Sequence, residues 1–250
     1  MVSVRPLLPA DADPAEVLDG YATPPPGRRG WWLRANMVAS ADGAATGPDG
    51  RSGPLSSPAD RQVFHHLRGL ADAVLVGAGT ARAENYGPVS ASEQVAAQRV
   101  ARGQGQRATL VVVSRSMALD PSARMFGGPE RVVVVTSRCA PAAAVAPVAA
   151  VAEVLRTGRE QVDLAEALTV LADRGLRQVL CEGGPSLLGD LVAADLVDEV
   201  CLTVAPLLLA GCAPRIAHGA RPPVPSSLDL DGAVLAEDGS LLTRWRRRQT

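Results

Sequence analysis

The sequence predicts an α/β fold, with a mostly parallel central sheet flanked by helices and a C-terminal antiparallel hairpin. Short apolar runs, each long enough for one buried strand, alternate with segments whose apolar residues recur at helical spacing. Residues 233–247 alternate around Asp238 and Gly239, a turn pair typical of a hairpin. We find no internal repeat, and we expect an extended, proline-rich N-terminal arm over residues 1–30 and a single domain over residues 31–250.

The composition is that of a globular protein and indicates neither a nucleic-acid nor a membrane partner. Of the 250 residues, 47% are hydrophobic and 20% are charged, and the net charge of −1 leaves no basic surplus to bind phosphate backbones. No apolar run reaches the roughly 20 residues of a membrane span, and the four cysteines lack metal-ligand spacing. We therefore expect a cytoplasmic protein without a metal.

The first half of the chain predicts strands that are each followed by a turn and a helix. Trp31–Ala39 is the first apolar strand, and Asp42 lies in the turn that leaves it. A helix then opens with Ser57 as N-cap and Pro58 as first residue. The remaining elements of this half are a strand at 73–77 and short helices at 80–84 and 92–102.

The second half continues the same alternation. One helix is predicted at residues 163–174, where Gly175 stops it, and another runs through Leu187 to Val192. Residues 139–150, rich in alanine and proline, receive no element. The predicted strands of this half cover residues 110–113, 131–136, 177–181 and 197–204.

Two strand-to-glycine turns indicate a phosphate-binding site. The first strand of this kind ends in Gly77-Ala78-Gly79-Thr80, and the second ends in Glu182-Gly183-Gly184. Free backbone N–H groups at a helix start, with the helix dipole, hold anions well. The first turn is not the dinucleotide fingerprint G-x-G-x-x-G, because Arg82 stands at its third glycine position. Together the turns predict a dinucleotide gripped from two sides, although a plain tight turn is the simpler interpretation of either alone.

The pair Ser114-Arg115 directly follows a predicted strand and indicates which dinucleotide binds. A hydroxyl and a guanidinium at a strand end suit a 2′-phosphate, whereas a free ribose favours an acid there. The pair therefore favours NADPH over NADH, unless Arg115 is an ordinary surface residue.

Asp60 and Phe64 share one face of the predicted helix, because they are four residues apart. If Phe64 faces a pocket, the Asp60 carboxylate stands at its rim and can bind the N–H edge of a heterocycle or organise a proton. The alternative is that Asp60 only stabilises the helix N-terminus.

Taken together, these residues resemble the reductase domain of the riboflavin-biosynthesis deaminase/reductase proteins, within the dihydrofolate reductase-like superfamily. The similarity covers about residues 31–245, and no zinc deaminase signature accompanies it. The motifs that carry it are Asn36–Gly43 (NMVASADG), Leu67–Arg68, Ala71–Thr80 (ADAVLVGAGT), Cys181–Leu188 (CEGGPSLL) and Leu196–Glu199 (LVDE).

The resemblance implies an NADPH-dependent pyrimidine reductase, expected as a homodimer, that transfers hydride from the nicotinamide to an opened ribosyl imine. It implies a catalytic role for Glu182, the acid nearest the imine nitrogen, and from its place on the helix beside Phe64 we expect a second catalytic role for Asp60. The substrate-binding residues it implies are Asn36, Ser40, Arg61, Phe64 and Glu84, and Asp42 shapes the loop beside them. The cofactor-binding residues it implies are Ala39, Gly77, Gly79, Thr80, Ser114, Arg115, Gly183, Gly184, Ser186 and Leu187.

One segment departs from the family pattern. After the glycine turn the family reads Ala-Asp-Asn/Asp-Pro-x-Leu-Thr-x-Arg, which helps to hold the substrate phosphate, whereas residues 83–91 here read AENYGPVSA. The helix with Asp60 and Phe64 also resembles the pterin-binding helix of dihydrofolate reductase. Two alternatives therefore stay open: a dihydrofolate or pterin reductase that uses Asp60, and a non-catalytic NADPH-binding protein.

Overall fold

The computed structural model describes residues 14–22 and 29–248. Nine strands and seven α-helices are formed in this part of the chain. The strands are β1 Trp32–Ser40, β2 Ala73–Gly77, β3 Thr109–Val113, β4 Val133–Thr136, β5 Glu153–Arg156, β6 Gln178–Cys181, β7 Glu199–Ala205, β8 Leu228–Leu235 and β9 Leu241–Arg247. The helices are α1 Pro14–Asp19, α2 Pro58–Leu70, α3 Ala78–Ala83, α4 Glu93–Ala101, α5 Ala142–Ala149, α6 Leu164–Asp173 and α7 Pro185–Ala193.

All nine strands belong to one sheet in the order β5-β4-β3-β2-β6-β1-β7-β9-β8. The strands from β5 to β7 pair in parallel, and the hairpin β8–β9 adds two antiparallel strands beside β7. The carboxyl ends of β2, β6 and β1, which are neighbours at the centre of the sheet, therefore meet at one edge. In open α/β sheets ligands bind at this edge.

The core lies in two layers on opposite faces of the sheet. Alternate strand residues point to opposite faces, so Val111 packs with one layer and Val112 with the other. Helices α6 and α7 cover the first face through Leu168, Leu171 and Leu191, which are fully buried. Helices α3 and α5 cover the opposite face. Of these helices, α3 and α7 begin just after β2 and β6, at the sheet edge where the predicted site residues lie.

The predicted fold class is confirmed, and two elements were not predicted. Helix α5 lies in the alanine-rich passage although Pro147 is inside it, and β5 follows directly. Strand β5 has no apolar run, because it is a half-exposed edge strand that begins with Glu153 and ends with Arg156. Sequence periodicity cannot identify such a strand, since its side chains share no buried face.

The N-terminal arm, predicted to be extended, contains a helix in the part that the structure describes. Residues 1–13 and 23–28 lie outside the described residues. Between them the chain forms helix α1 instead of an extended segment, and Tyr21 is buried against α2 and β9. The boundary at residue 30 stays a prediction. Among the described residues, no helix is long and apolar enough to cross a membrane.

Gly189 of α7 tests the packing of the loop that follows β7. An added Cβ at this position would lie 2.2 Å from the carbonyl oxygen of His218 and 2.7 Å from its carbonyl carbon. Helix propensity alone favours Ala over Gly by about 1 kcal/mol. We expect Gly189→Ala to destabilise the protein instead, by about 1–3 kcal/mol, because backbone atoms must move.

Urea unfolding followed by circular dichroism measures this change. The control is Gly53→Ala, since an added Cβ at Gly53 meets no atom within 4 Å. Equal or greater stability of Gly189→Ala would show that the loop at His218 is not packed against α7 as described.

Candidate active site

The two glycine turns touch each other at the carboxyl ends of β2 and β6. The backbone N–H of Gly77 donates a hydrogen bond to the carbonyl oxygen of Gly183 over 2.8 Å. An added Cβ at Gly184 would lie 2.2 Å from Oγ1 of Thr80, so only glycine permits this approach. Gly183 has a φ of +85°, a backbone conformation that glycine adopts without strain. The result is a surface made largely of backbone between the starts of α3 and α7.

This surface fits the phosphates of a dinucleotide. An added Cβ at Gly79 would meet no atom within 4 Å, so open space lies above the first turn. Gly184 is the N-cap of α7, and its helix therefore directs free N–H groups toward the same region. Ser186, in the first turn, is exposed, whereas Leu187 is buried against Gly77.

A groove of about 560 Å³ continues from the carboxyl end of β3 along α6 and α7. Arg115 lines it and forms an ion pair with Asp190 of α7, and both side chains are substantially exposed. The neighbouring Ser114 hydroxyl is buried and has no hydrogen-bond partner among the described residues. Exposed ion pairs contribute about 0–1 kcal/mol, so Arg115 can leave Asp190 for a phosphate at small cost.

A second cavity, of about 350 Å³, opens on the other side of the glycine turns, at the carboxyl end of β6 and beside β1. It adjoins the turns directly, since Met37 lines the cavity and its sulfur would lie 3.1 Å from a Cβ added at Gly183. Its walls come from β1, α2 and the segment after α3. The lining side chains that carry chemistry are Asn36, Ser52, Asp60, Phe64, Arg68, Glu84, Tyr86, Arg124 and Glu182.

Glu182 is buried in this cavity and is held by three donors. Nε and Nη2 of Arg68 donate to its two carboxylate oxygens over 2.6 and 2.7 Å, and the Tyr86 hydroxyl donates to Oε2 over 2.7 Å. The bidentate geometry is the strongest form of an arginine–carboxylate pair. We call these three residues the Glu182 cluster. It ties α2 and the segment after α3 to the residue that precedes the second glycine turn.

Aromatic rings enclose the cluster. The Arg68 guanidinium lies 4.2 Å from the ring centroid of Phe64 and 5.6 Å from that of Tyr86, both within cation–π range. Burial raises the pKa of Tyr86 well above its ordinary value, and the neighbouring Glu182 carboxylate raises it further. The phenol therefore stays protonated at neutral pH.

Comparison with known proteins assigns the family. The family model described as the RibD C-terminal domain matches residues 18–240. The chain belongs to the RibD C-terminal domain family. The resemblance stated from the sequence is thus confirmed.

Relatives in this family are named as reductases. The 2,5-diamino-6-ribosylamino-4(3H)-pyrimidinone 5′-phosphate reductase of Archaeoglobus fulgidus is 31% identical over 180 residues, which are 72% of this chain and 82% of that protein. The riboflavin biosynthesis protein RibD of Mycobacterium tuberculosis is 34% identical over 175 residues, 70% of this chain and 42% of that protein. A pyrimidine reductase-like protein of Corynebacterium diphtheriae matches with a TM-score of 0.79 at 28% identity, covering 88% of this chain and 92% of that one. A reductase family with this fold is consistent with a nicotinamide cofactor.

The structure of this RibD C-terminal domain brings some of the expected substrate residues together in the cavity. Asp60 is buried and accepts a hydrogen bond from the Ser56 hydroxyl, while Asn36 and Phe64 line the same space. Glu84 also lines it, but its carboxylate accepts hydrogen bonds from both the backbone N–H and the hydroxyl of Ser52.

Other expected residues lie outside the cavity lining. Arg61 is exposed and donates to the backbone carbonyl of Ser56, and its role in substrate binding stays a prediction. Ala39 and Ser40 are buried at the end of β1, where the Ser40 hydroxyl donates to Asp42. The Asp42 carboxylate accepts from the backbone N–H groups of residues 209 and 210, and thus shapes the loop after β7.

Sequence reasoning left several residues of the cavity lining unassigned, among them Arg68, Tyr86 and Arg124. Arg68 follows Phe64 by one helical turn, and this spacing is the sequence feature that could have placed it on the same face as Phe64 and Asp60. Tyr86 and Arg124 have no such spacing, because they enter from segments without regular periodicity.

The two tyrosines of the chain provide a pH test of this packing. Burial raises the pKa of Tyr21 as it does that of Tyr86. A raised folded-state pKa gives stability that is fully present below the unfolded value of about 10 and is lost as the pH rises further. We therefore expect no phenolate in the folded protein near pH 10, and a stability that falls above it.

Absorbance titration of the phenolate band measures this. The denatured chain is the internal control, because both phenols should then ionise near their ordinary pKa, and Tyr86→Phe isolates Tyr21. A phenol that titrates near pH 10 in the native wild type, and is absent in Tyr86→Phe, would contradict the burial of Tyr86 against Glu182.

Proposed function

We propose that the chain is an NADPH-dependent reductase of a phosphoribosylamino-pyrimidine, of the kind that the name of the A. fulgidus relative describes. The observation that carries the proposal is that the cavity and the glycine surface adjoin each other. A cavity with a buried carboxylate cluster adjoins a glycine surface suited to a dinucleotide, and Glu182 and Gly183 are consecutive residues at the junction. Such a junction places a flat substrate against the reactive end of the cofactor.

In this proposal the cofactor lies across the two glycine turns. Gly77, Gly79, Thr80, Gly183 and Gly184 hold its pyrophosphate, with Ser186 and Leu187 at the start of α7. We assign the 2′-phosphate to Ser114 and Arg115, and Arg115 is the member of the pair that lines the groove and is exposed to a ligand. When bound, NADPH supplies a hydride from C4 of its nicotinamide.

The chain's own contribution is orientation and control of a proton. Asn36, Phe64 and Arg68 shape the walls against which the pyrimidine rests. The Tyr86 hydroxyl donates to Glu182 in this structure, and it can instead turn to donate to the imine nitrogen of an opened sugar. Tyr86 would then give its proton to that nitrogen as hydride reaches the carbon, water would return a proton to the phenolate, and Glu182 holds Tyr86 and Arg68 in place.

A pterin is the second candidate substrate, and Asp60 favours it. This carboxylate is buried near the N-terminus of α2, lines the cavity and stands on the same helix as Phe64. A buried acid beside an aromatic ring can pair with the N–H edge of a pterin.

We also propose a cytoplasmic homodimer. The exposed apolar residues Leu208, Val224 and Leu235 support an interface.

The direct test offers NADPH and either 2,5-diamino-6-ribosylamino-4(3H)-pyrimidinone 5′-phosphate or dihydrofolate to the purified protein. The proposal predicts NADPH oxidation with the pyrimidine. Oxidation with dihydrofolate alone would favour the pterin alternative. Tight NADPH binding with no oxidation by either substrate would favour the non-catalytic alternative.

Asp60→Asn separates the two substrates. Asparagine keeps the size of the side chain but cannot accept two N–H groups from an amidine edge. We expect the variant to abolish pterin reduction and only to weaken reduction of the phosphoribosyl substrate, as measured by kcat/KM for each. Equal losses with both substrates would remove the distinction that rests on Asp60.

Arg115→Ala tests the cofactor assignment. Loss of a charge-assisted pair costs about 1.5–3 kcal/mol, so we expect NADPH to bind about 10- to 100-fold more weakly and NADH to be little affected. Dissociation constants from calorimetry measure both.

The matched variant is Asp190→Asn, which releases Arg115 from its ion pair. It should leave NADPH binding intact or strengthen it. A similar loss of NADPH and NADH affinity in Arg115→Ala would overturn the 2′-phosphate assignment.

A further inference from the structure

Arg124 stands at the cavity on a short anchored segment. It opens a single turn of 3-10 helix, Arg124–Phe126, in the connection between β3 and β4. The next residue, Met125, is buried in the core cluster that contains β2 and β3, and Phe126 packs against the same cluster. Arg124 itself is exposed and lines the cavity. Its backbone is therefore fixed while its guanidinium reaches toward solvent.

The Arg124 side chain packs closely against the segment after α3. A Cβ added at Gly87 would lie 2.8 Å from Nε and 3.0 Å from Cζ of Arg124, so the guanidinium packs on a backbone without a side chain. Two residues past the helical turn, a Cβ added at Gly128 would lie 2.7 Å from Cβ of Pro88. Two successive contacts thus join residues 124–128 to residues 87 and 88, and they set where the guanidinium stands.

The charge of Arg124 has no carboxylate partner among the described residues. Its one hydrogen bond is a long one, 3.5 Å from Nη1 to the backbone carbonyl of Asn85. Arg68, the other arginine of the cavity, is engaged by Glu182 on two nitrogens. Glu84 lies in the same lining but is bound by Ser52. Arg124 is thus the cation of the cavity that is available to a ligand.

The proposed substrate needs such a cation. Its phosphate is doubly charged and lies at the end of the sugar away from the pyrimidine. Residues 85–91, which border the cavity, contain no arginine or lysine. We propose that Arg124 binds the 5′-phosphate of the substrate, so that a residue from the β3–β4 connection supplies the anion subsite. This inference rests on the proposed function.

The test compares one ligand with and without its phosphate. The affinity of the protein for 2,5-diamino-6-ribosylamino-4(3H)-pyrimidinone 5′-phosphate and for its dephosphorylated form is measured by calorimetry in the presence of NADP+. We expect the wild type to prefer the phosphorylated form. Arg124→Gln should lose about 10- to 100-fold in affinity for that form and remain unchanged toward the other.

Two variants support the comparison. Arg124→Lys keeps the charge without the planar fork and should retain part of the preference. Arg107→Gln is the control, because Arg107 is a partly exposed arginine that pairs with Glu130 and does not line the cavity. It should behave as the wild type. Circular dichroism of each variant checks that the fold is kept.

An Arg124→Gln variant that keeps the preference, or that loses affinity for both forms equally, would overturn the assignment. So would a wild type without preference. The proposed function fails separately, if neither pyrimidine oxidises NADPH. In that case the carboxylates of the glutamate tail of dihydrofolate are the alternative ligand of Arg124. If Arg124→Gln then bound dihydrofolate more weakly but bound an analogue without the glutamate tail as the wild type does, the subsite would be assigned to a carboxylate. This result would contradict a phosphate subsite.

Discussion

One buried carboxylate holds the candidate site together. Glu182 directly follows the central strand β6, and its two oxygens accept three hydrogen bonds from Arg68 and Tyr86. These partners belong to α2 and to the segment after α3, so a single charge fixes three parts of the chain around one cavity. Removal of one partner from a buried ion pair typically costs about 3–5 kcal/mol. The shape of the cavity therefore depends on the cluster, and Gly183, the next residue, carries that constraint into the dinucleotide surface.

The proposed cofactor half and the proposed substrate half of the site are built by different means. The cofactor half is formed by backbone, since Gly77 bonds to Gly183 and a side chain at Gly184 would collide with Thr80. The substrate half is formed by side chains from segments far apart in the sequence. A backbone surface changes little when neighbouring side chains change, whereas a side-chain cavity can be adapted to another substrate. Accordingly, the pyrimidine and pterin hypotheses share one cofactor surface and differ in the role that they give to the Asp60 carboxylate of the cavity.

The sequence predicts the two glycine turns better than the lining of the cavity, for a physical reason. Apolar runs that end in glycine are local patterns, and the strands β2 and β6 and the contact of their turns follow from them. The Glu182 cluster is not local, because Arg68 is 114 residues from the carboxylate that it binds. The family resemblance implied Arg61, which is exposed and outside the cavity lining, whereas Arg68, two turns further along α2, lines the cavity. Strand β5 and helix α5 were missed because neither has a clear periodic pattern.

The central claim is that the cofactor and an opened sugar meet at the junction of Glu182 and Gly183. Mass spectrometry of the product formed with NADPH that carries deuterium at both hydrogen positions of the nicotinamide C4 tests it most directly. We expect one deuterium to be transferred to the sugar carbon that is bonded to the pyrimidine amino nitrogen. A pyrimidine that is reduced without deuterium, or that carries it on the ring instead of the sugar, would contradict the account.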